Sequence, residues 1–151
     1  MYRRILVPLE HSPYDGPILE HVRRLAGLCG SALVLIHVAD GWAARNMRPL
    51  ALRDSEEMRD DRSYLERCAA ELREAGFPTD AVLAAGDPAT EIVAAAAREG
   101  CDLIAMATHG HKWLGDLLHG STATAVRHAT EIPVLLVRAR PTGVAAASPA
   151  P

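Results

Sequence analysis

At 151 residues, with 49% hydrophobic and 23% charged side chains, the chain has the size and balance of one soluble globular domain with a sizeable core. A net charge of -3 without a Lys/Arg block, and aromatics at 4% that nowhere alternate with basic residues, exclude the usual footprints of a nucleic-acid binder. With aromatics so scarce, the core falls to Ala, Leu, Val and Ile.

Read from the N-terminus, Arg3-Arg4 lead into an apolar run that Glu10-His11 cut far short of a signal or membrane segment, which points to the cytoplasm and away from the membrane. Apolar runs of strand length recur at residues 5–9, 32–38, 81–85, 103–107 and 134–137, and most are continuous, as strands covered on both faces are. Helical patterns lie between them. Ile18, Val22, Leu25 and Cys29 form one apolar stripe, Leu65, Cys68 and Leu72 a second, Ile92, Val93 and Ala96 a third. Gly30 and Gly76 suit helix stops, and Pro88 and Ser121 suit helix starts. This order predicts an α/β fold: a Rossmann-like open five-stranded parallel sheet with helices on both faces. The 40–54 connection is long for such a fold, and its Trp42, Asn46, Met47 and Arg48 suit a flap over a site or equally a plain surface excursion. From residue 139 Pro, Gly, Ala and Ser dominate, so residues 1–138 read as the domain and 139–151 as a disordered tail. Cys29, Cys68 and Cys101 are odd in number and far apart, which argues against a disulfide framework or a thiolate metal site and for a reducing compartment.

Candidate chemistry concentrates after the fourth strand, between Ala107 and Thr122. Gly110 and Gly120 let backbone N–H groups approach a ligand, and the N-terminus of a helix starting at Ser121 favours phosphate. The same residues also read as loop-shaping glycines and an ordinary N-cap. Ligands of doubly wound sheets bind beyond the carboxyl ends of strands where strand order reverses. If strand one is central with strand four beside it, Pro8, Leu9, Glu10, His11 and Ser12 meet the glycine loop there, with Val38 as a wall. Neither G-x-x-x-x-G-K-[ST] nor G-x-G-x-x-G occurs after the first strand. His109, His111 and His119 share the loop and His11 faces them across the cleft; their spacing matches no metal-ligand pattern, so no metal site is assigned. His21, His37 and His128 read as structural, Asp87 as turn chemistry, and no Ser-His-Asp or Cys-His arrangement can be proposed from spacing.

Taken together, these residues resemble the universal stress protein family over about residues 2–138. Ala107-x2-Gly110-x9-Gly120-Ser121 is similar to the G-x2-G-x9-G-[ST] pattern of its ATP-binding members, with Ala in place of the first Gly. Ile5-Leu6-Val7-Pro8, the Gly86-Asp87-Pro88 turn and Ile132-Pro133-Val134-Leu135-Leu136-Val137 resemble the family as well. The resemblance implies a homodimer joined through the last strand, residues 134–137, and a site for ATP or another adenine nucleotide, with or without Mg2+. By position, Pro8, Leu9 and Glu10 would flank the adenosine and Val38 would line the base. Met106 and Ala107 would lie near the ribose, while Gly110, Gly120, Ser121 and Thr122 would hold the phosphates. The family's usual Asp after the Pro is Glu10 here, one methylene longer. The implied function is a stress or signalling module without catalytic residues, at most hydrolysing ATP slowly and incidentally. The alternative is a dimeric interaction protein of the same fold that binds no nucleotide. An adenylate-forming enzyme of related type would carry an S-G-G-x-D loop after strand one, and residues 8–12 do not resemble it.

Overall fold

The computed structural model describes residues 1–40, 51–109 and 117–140. Among these residues five strands and four helices alternate: β1 Arg4–Pro8, α1 Asp15–Cys29, β2 Ala32–Asp40, α2 Ala51–Glu74, β3 Thr79–Gly86, α3 Pro88–Arg98, β4 Leu103–His109, α4 Leu117–Ala129 and β5 Val134–Ala139. All strand pairs are parallel, in the order β3-β2-β1-β4-β5. β1 is therefore central with β4 beside it, and strand order reverses between them.

The continuity of the apolar runs follows from the two layers they serve. Ile5, Val7, Leu33, Leu35, Leu103 and Ala105 face Ile18, Val22 and Ala26 of α1 and Leu65, Cys68, Ala69 and Leu72 of α2. Their strand neighbours Leu6, Val34, Ile36, Ile104 and Met106 face Ile92, Ala95 and Ala96 of α3 and Ala123 and Val126 of α4. Successive strand residues point to opposite faces, so a strand covered twice must be apolar at every position. Each fully buried Leu, Ile or Val contributes about 1.5–3 kcal/mol. The α1 stripe runs one residue away from the expected one: Ala26 is buried, whereas Leu25 and Cys29 are half-buried.

Helix ends mostly follow local chemistry. α1 stops at Gly30, whose φ of 69° is the left-handed cap conformation that glycine adopts without strain. α3 starts where the Asp87 carboxylate accepts the Thr90 N–H at 3.0 Å, with Pro88 as its first residue. The expected start of the last helix at Ser121 is corrected: α4 begins at Leu117. The Gly-Ser pair invited a cap reading, but Leu117 and Leu118 already belong to the helix. β5 runs through Ala139, which is buried, so the strand extends one residue into the segment expected to be tail. The 42–48 residues proposed as a flap and the tail from 141 lie outside the described residues, while Ala51 to Asp54 are helical.

Two features shape the sheet around its centre. At one rim, the Asp102 carboxylate ahead of β4 accepts the N–H groups of Arg3 and Arg4 at 2.9–3.1 Å and pins the start of β1. Along the strands, β1 and β4 pair at Ile5–Leu103 and Leu6–Ile104, and the ladder goes no further. β4 instead keeps company with β5 from Ile104 to His109. A fork thus opens between β1 and β4 towards their carboxyl ends.

Candidate functional site

Pro8 ends β1 because it has no N–H to give a ladder, and the chain then turns sharply. The Leu9 N–H still reaches Ile36 at 2.8 Å, and His11 takes a left-handed φ of 59°. What folds this turn is a buried carboxylate. Asp15, 2% exposed in the first turn of α1, accepts the Glu10 N–H at 2.9 Å, the Ser12 N–H at 3.1 Å and the Tyr64 hydroxyl at 2.7 Å. A buried charge is tolerated when it is hydrogen-bonded this fully. Burial, and then the bond to Asp15, push the Tyr64 phenol well above its ordinary range, so it stays a donor.

The turn also engages α2 from above. The His11 ring stacks on Tyr64 with centroids 4.0 Å apart, and its Nδ1 lies 2.8 Å from Asp61 Oδ1. From β2, His37 places Nδ1 2.9 Å from the Leu9 carbonyl and Nε2 3.3 Å from Asp61 Oδ2. An open cavity of about 380 Å³ lies here, lined by Glu10, His11, His37, Glu57, Asp60 and Asp61. Among the described residues, no group of three or more His, Cys, Asp or Glu is arranged to hold a metal ion.

The residues expected to form a site divide across the sheet. Glu10 lines the cavity, and its neighbour Pro8 is half-buried at the end of β1. The Leu9 side chain is 3% exposed and belongs to the layer under α1 and α2, so it shapes the site from within rather than offering a surface. Ala107 packs on that same layer, whereas Val38 and Met106 pack on the opposite one. Ala107 is an ordinary strand residue paired with Val137. Among the described non-glycine residues, positive φ occurs at His11. Gly110 lies outside the described residues. Gly120 and Ser121 are inside α4, and Thr122 is half-buried one residue on.

Sequence reasoning missed four of the cavity's lining residues. His37 was read as structural, and Glu57, Asp60 and Asp61 were not singled out. Their charges look like a solvated helix face, and the signal that recovers them is topological. A helix leaving the carboxyl end of β2 must carry its first turns past the carboxyl end of β1. His11 was expected to face the glycine-loop histidines; in the structure its described partners are Asp61 and Tyr64.

Residues 1–138 match the model of the universal stress protein family. The chain is 28% identical to universal stress protein MJ0577 of Methanocaldococcus jannaschii, over 91% of this chain and 96% of that protein. The solved structure of MJ0577 superposes with a TM-score of 0.78 at 29% identity, covering 93% of this chain and 98% of that one. Two more distant structures share the fold. One is a universal stress protein from Archaeoglobus fulgidus in complex with dAMP, with TM-score 0.67 and 19% identity over 91% of this chain and 98% of that one. The other is a universal stress protein in complex with cAMP, with TM-score 0.66 and 17% identity over 91% and 97%. No helix among the described residues is long and apolar enough to cross a membrane.

Proposed function

The chain belongs to the universal stress protein family, and from that premise we propose that it is a dimeric cytosolic stress or signalling module binding ATP or another adenine nucleotide. The observation that carries the reading is the fork at the switch point of the sheet, where β1 and β4 part after Leu6 and Ile104. A crevice beyond the carboxyl ends of strands is where open α/β sheets take ligands. The dAMP and cAMP held by two relatives share an adenine base, the part of a nucleotide that an apolar slot walled by Pro8, Val38 and Met106 suits.

The phosphates belong at the other wall. The first turn of α4 offers backbone N–H groups and the positive end of a helix dipole, with the Ser121 and Thr122 hydroxyls close in sequence. They do not belong in the cavity beside α2, whose lining carries the carboxylates of Glu10, Glu57, Asp60 and Asp61. A triphosphate would bring its own Mg2+ as charge partner. The residues present bind and orient, so any hydrolysis is slow and incidental.

The second copy of the chain docks on β5. This edge strand is Val134–Ala139, apolar from Val134 to Val137 with Leu136 39% exposed and with the exposed Arg138 following, and an apolar edge stretch of this kind invites pairing across a two-fold axis. Calorimetric titration with ATP, with and without magnesium, tests the nucleotide reading. Gly120→Val should abolish binding while the circular dichroism spectrum stays unchanged, because a branched side chain would occupy the phosphate wall. Wild-type affinity in that variant would remove the assignment. A rival reading, an interaction module that binds no nucleotide, is favoured by the four cavity carboxylates, and it gains the argument if neither adenine nucleotides nor MgATP bind.

A further inference from the structure

We propose that Tyr64 of α2 is a positioning residue of the crevice: acting through Asp15, it holds the turn after β1 in its folded shape and keeps Glu10 beside the fork. Its effect on a ligand rests on the nucleotide reading above, whereas the brace itself is a property of the ligand-free chain. The turn needs a brace. His11 takes a left-handed φ of 59°, a conformation that costs free energy at a residue with a Cβ and persists only where the surroundings enforce it. The residues on either side of it are both held by one carboxylate. Asp15 accepts the Glu10 N–H on Oδ1 at 2.9 Å and the Ser12 N–H on Oδ2 at 3.1 Å.

Asp15 is aimed in turn by α2. Its Oδ2 also accepts the hydroxyl of Tyr64, 49 residues further along the chain, at 2.7 Å. Kept protonated by burial and by this bond, the phenol is a standing donor. The Tyr64 ring packs on the core layer under α1 and α2, which gives the hydroxyl a fixed origin. The strained residue rests on the same ring: His11 stacks on it with 4.0 Å between centroids and 17° between planes. Tyr64 therefore meets the turn twice, through its hydroxyl by way of Asp15 and through its face by way of His11.

From the turn the order passes to the side chain at the cavity. The Ser12 hydroxyl accepts the Tyr14 N–H at 3.3 Å and donates to Glu10 Oε2 at 3.3 Å, so the residue whose N–H Asp15 holds also steadies the Glu10 carboxylate. Hydrogen bonds thus run without a break from the Tyr64 hydroxyl through Asp15 and Ser12 to Glu10, which lines the cavity. Tyr64 acts at one remove, since the ligand meets the turn and Tyr64 sets it. A ligand that binds only the set turn loses affinity in proportion to the fraction of molecules in which the turn has come out of place.

The test compares wild type, Tyr64→Phe and Asp102→Asn as full-length chains. Tyr64→Phe keeps the ring and its stack and removes the hydroxyl, while Asp102→Asn loosens β1 at its other end and controls for lost stability. In the ligand-free proteins, hydrogen exchange of the Glu10 and Ser12 amides should speed up roughly fivefold in Tyr64→Phe and stay near wild type in Asp102→Asn. Calorimetric titration should show AMP and ATP weakened by the same factor, roughly fivefold, in Tyr64→Phe, and within about twofold of wild type in Asp102→Asn, because the brace acts on the adenine side of the crevice. Unchanged exchange or unchanged affinity in Tyr64→Phe overturns the proposal, and so does an equal loss in Asp102→Asn. Asp15→Asn should go further in the same direction; if it fails to fold, Tyr64→Phe decides alone. If the wild type binds neither nucleotide, the nucleotide reading falls, and exchange at Glu10 and Ser12 still decides the brace.

Discussion

Replacing Asp15 by asparagine puts the turn after β1 to a direct test. The carboxylate accepts three bonds, from Glu10, Ser12 and the Tyr64 hydroxyl, while 2% exposed. Hydrogen bonds to a charged group are each worth about 1.5–3 kcal/mol, but removing the carboxylate also removes its own burial cost, so the three do not add. We expect Asp15→Asn to lose about 3 kcal/mol, or roughly 6–12 °C in Tm for a chain of this size. Asparagine keeps the shape and offers one oxygen, but its NH2 group must face a donor where an acceptor stood. Tyr64→Phe removes one bond and should cost about 1.5 kcal/mol, and the double variant should cost clearly less than the sum because the two groups share that bond. Urea unfolding followed by circular dichroism gives these numbers. An Asp15→Asn protein within about 0.5 kcal/mol of wild type would mean that the carboxylate merely fills space.

Other outcomes follow from single positions. Burial alone would raise the Asp102 carboxyl, but the N–H groups of Arg4 and Arg3 outweigh it and hold it below the usual carboxylate range. A depressed carboxyl stabilises above its unfolded value and loses that contribution as pH falls through the folded one, so wild type should exceed Asp102→Asn by about 1 kcal/mol near neutrality, after allowance for solvent screening, with the gap closing below about pH 4 in acid unfolding. Leu136→Lys places a charge on the exposed face of β5 and should shift sedimentation from dimer towards monomer; a wild type that is already monomeric at micromolar concentration defeats that assignment. Ala107→Gly should leave the ATP dissociation constant within about twofold and cost about 0.5–1 kcal/mol of stability, because Ala107 is an ordinary strand residue whose methyl packs on the core. Clear tightening of ATP by the glycine form would show that the methyl crowds the ligand.

How much of this was legible in the sequence depended on which force sets each feature. Strand positions could be read because two-sided burial imposes unbroken apolar runs, whereas the central place of β1 was only assumed there and is established by the strand order of the structure. Gly30, Asp87 and Pro88 announced helix ends because the backbone chemistry there is local. Ser121 misled because a Gly-Ser pair also occurs inside helices, as it does in α4. The acidic turns of α2 were illegible for a different reason. Glu57, Asp60 and Asp61 acquire meaning from His11 and His37, which lie elsewhere in the chain and meet them only through the sheet topology. His37 shows the limit well: one ring nitrogen does the structural task expected of it, and the other faces the carboxylate beside the cavity.

The central position of β1 also has a consequence for synthesis on the ribosome. Its partner on one side, β2, follows within a few turns of helix, but the Asp102 carboxylate that pins its start is 98 residues from Arg4. From Ile36, where pairing with β2 is complete, to Asp102 is about 66 residues, so at about 5–20 residues per second the nascent chain spends roughly 3–13 s with β1 paired on one side and bare on the other. An apolar strand with an open edge is the species that chaperones and neighbouring chains capture. The fork that makes the crevice is therefore completed late, and a chain stalled before β4 has a half-sheet without the crevice. Slowing translation between α2 and β4 should accordingly lower soluble yield more than the same delay placed after β5.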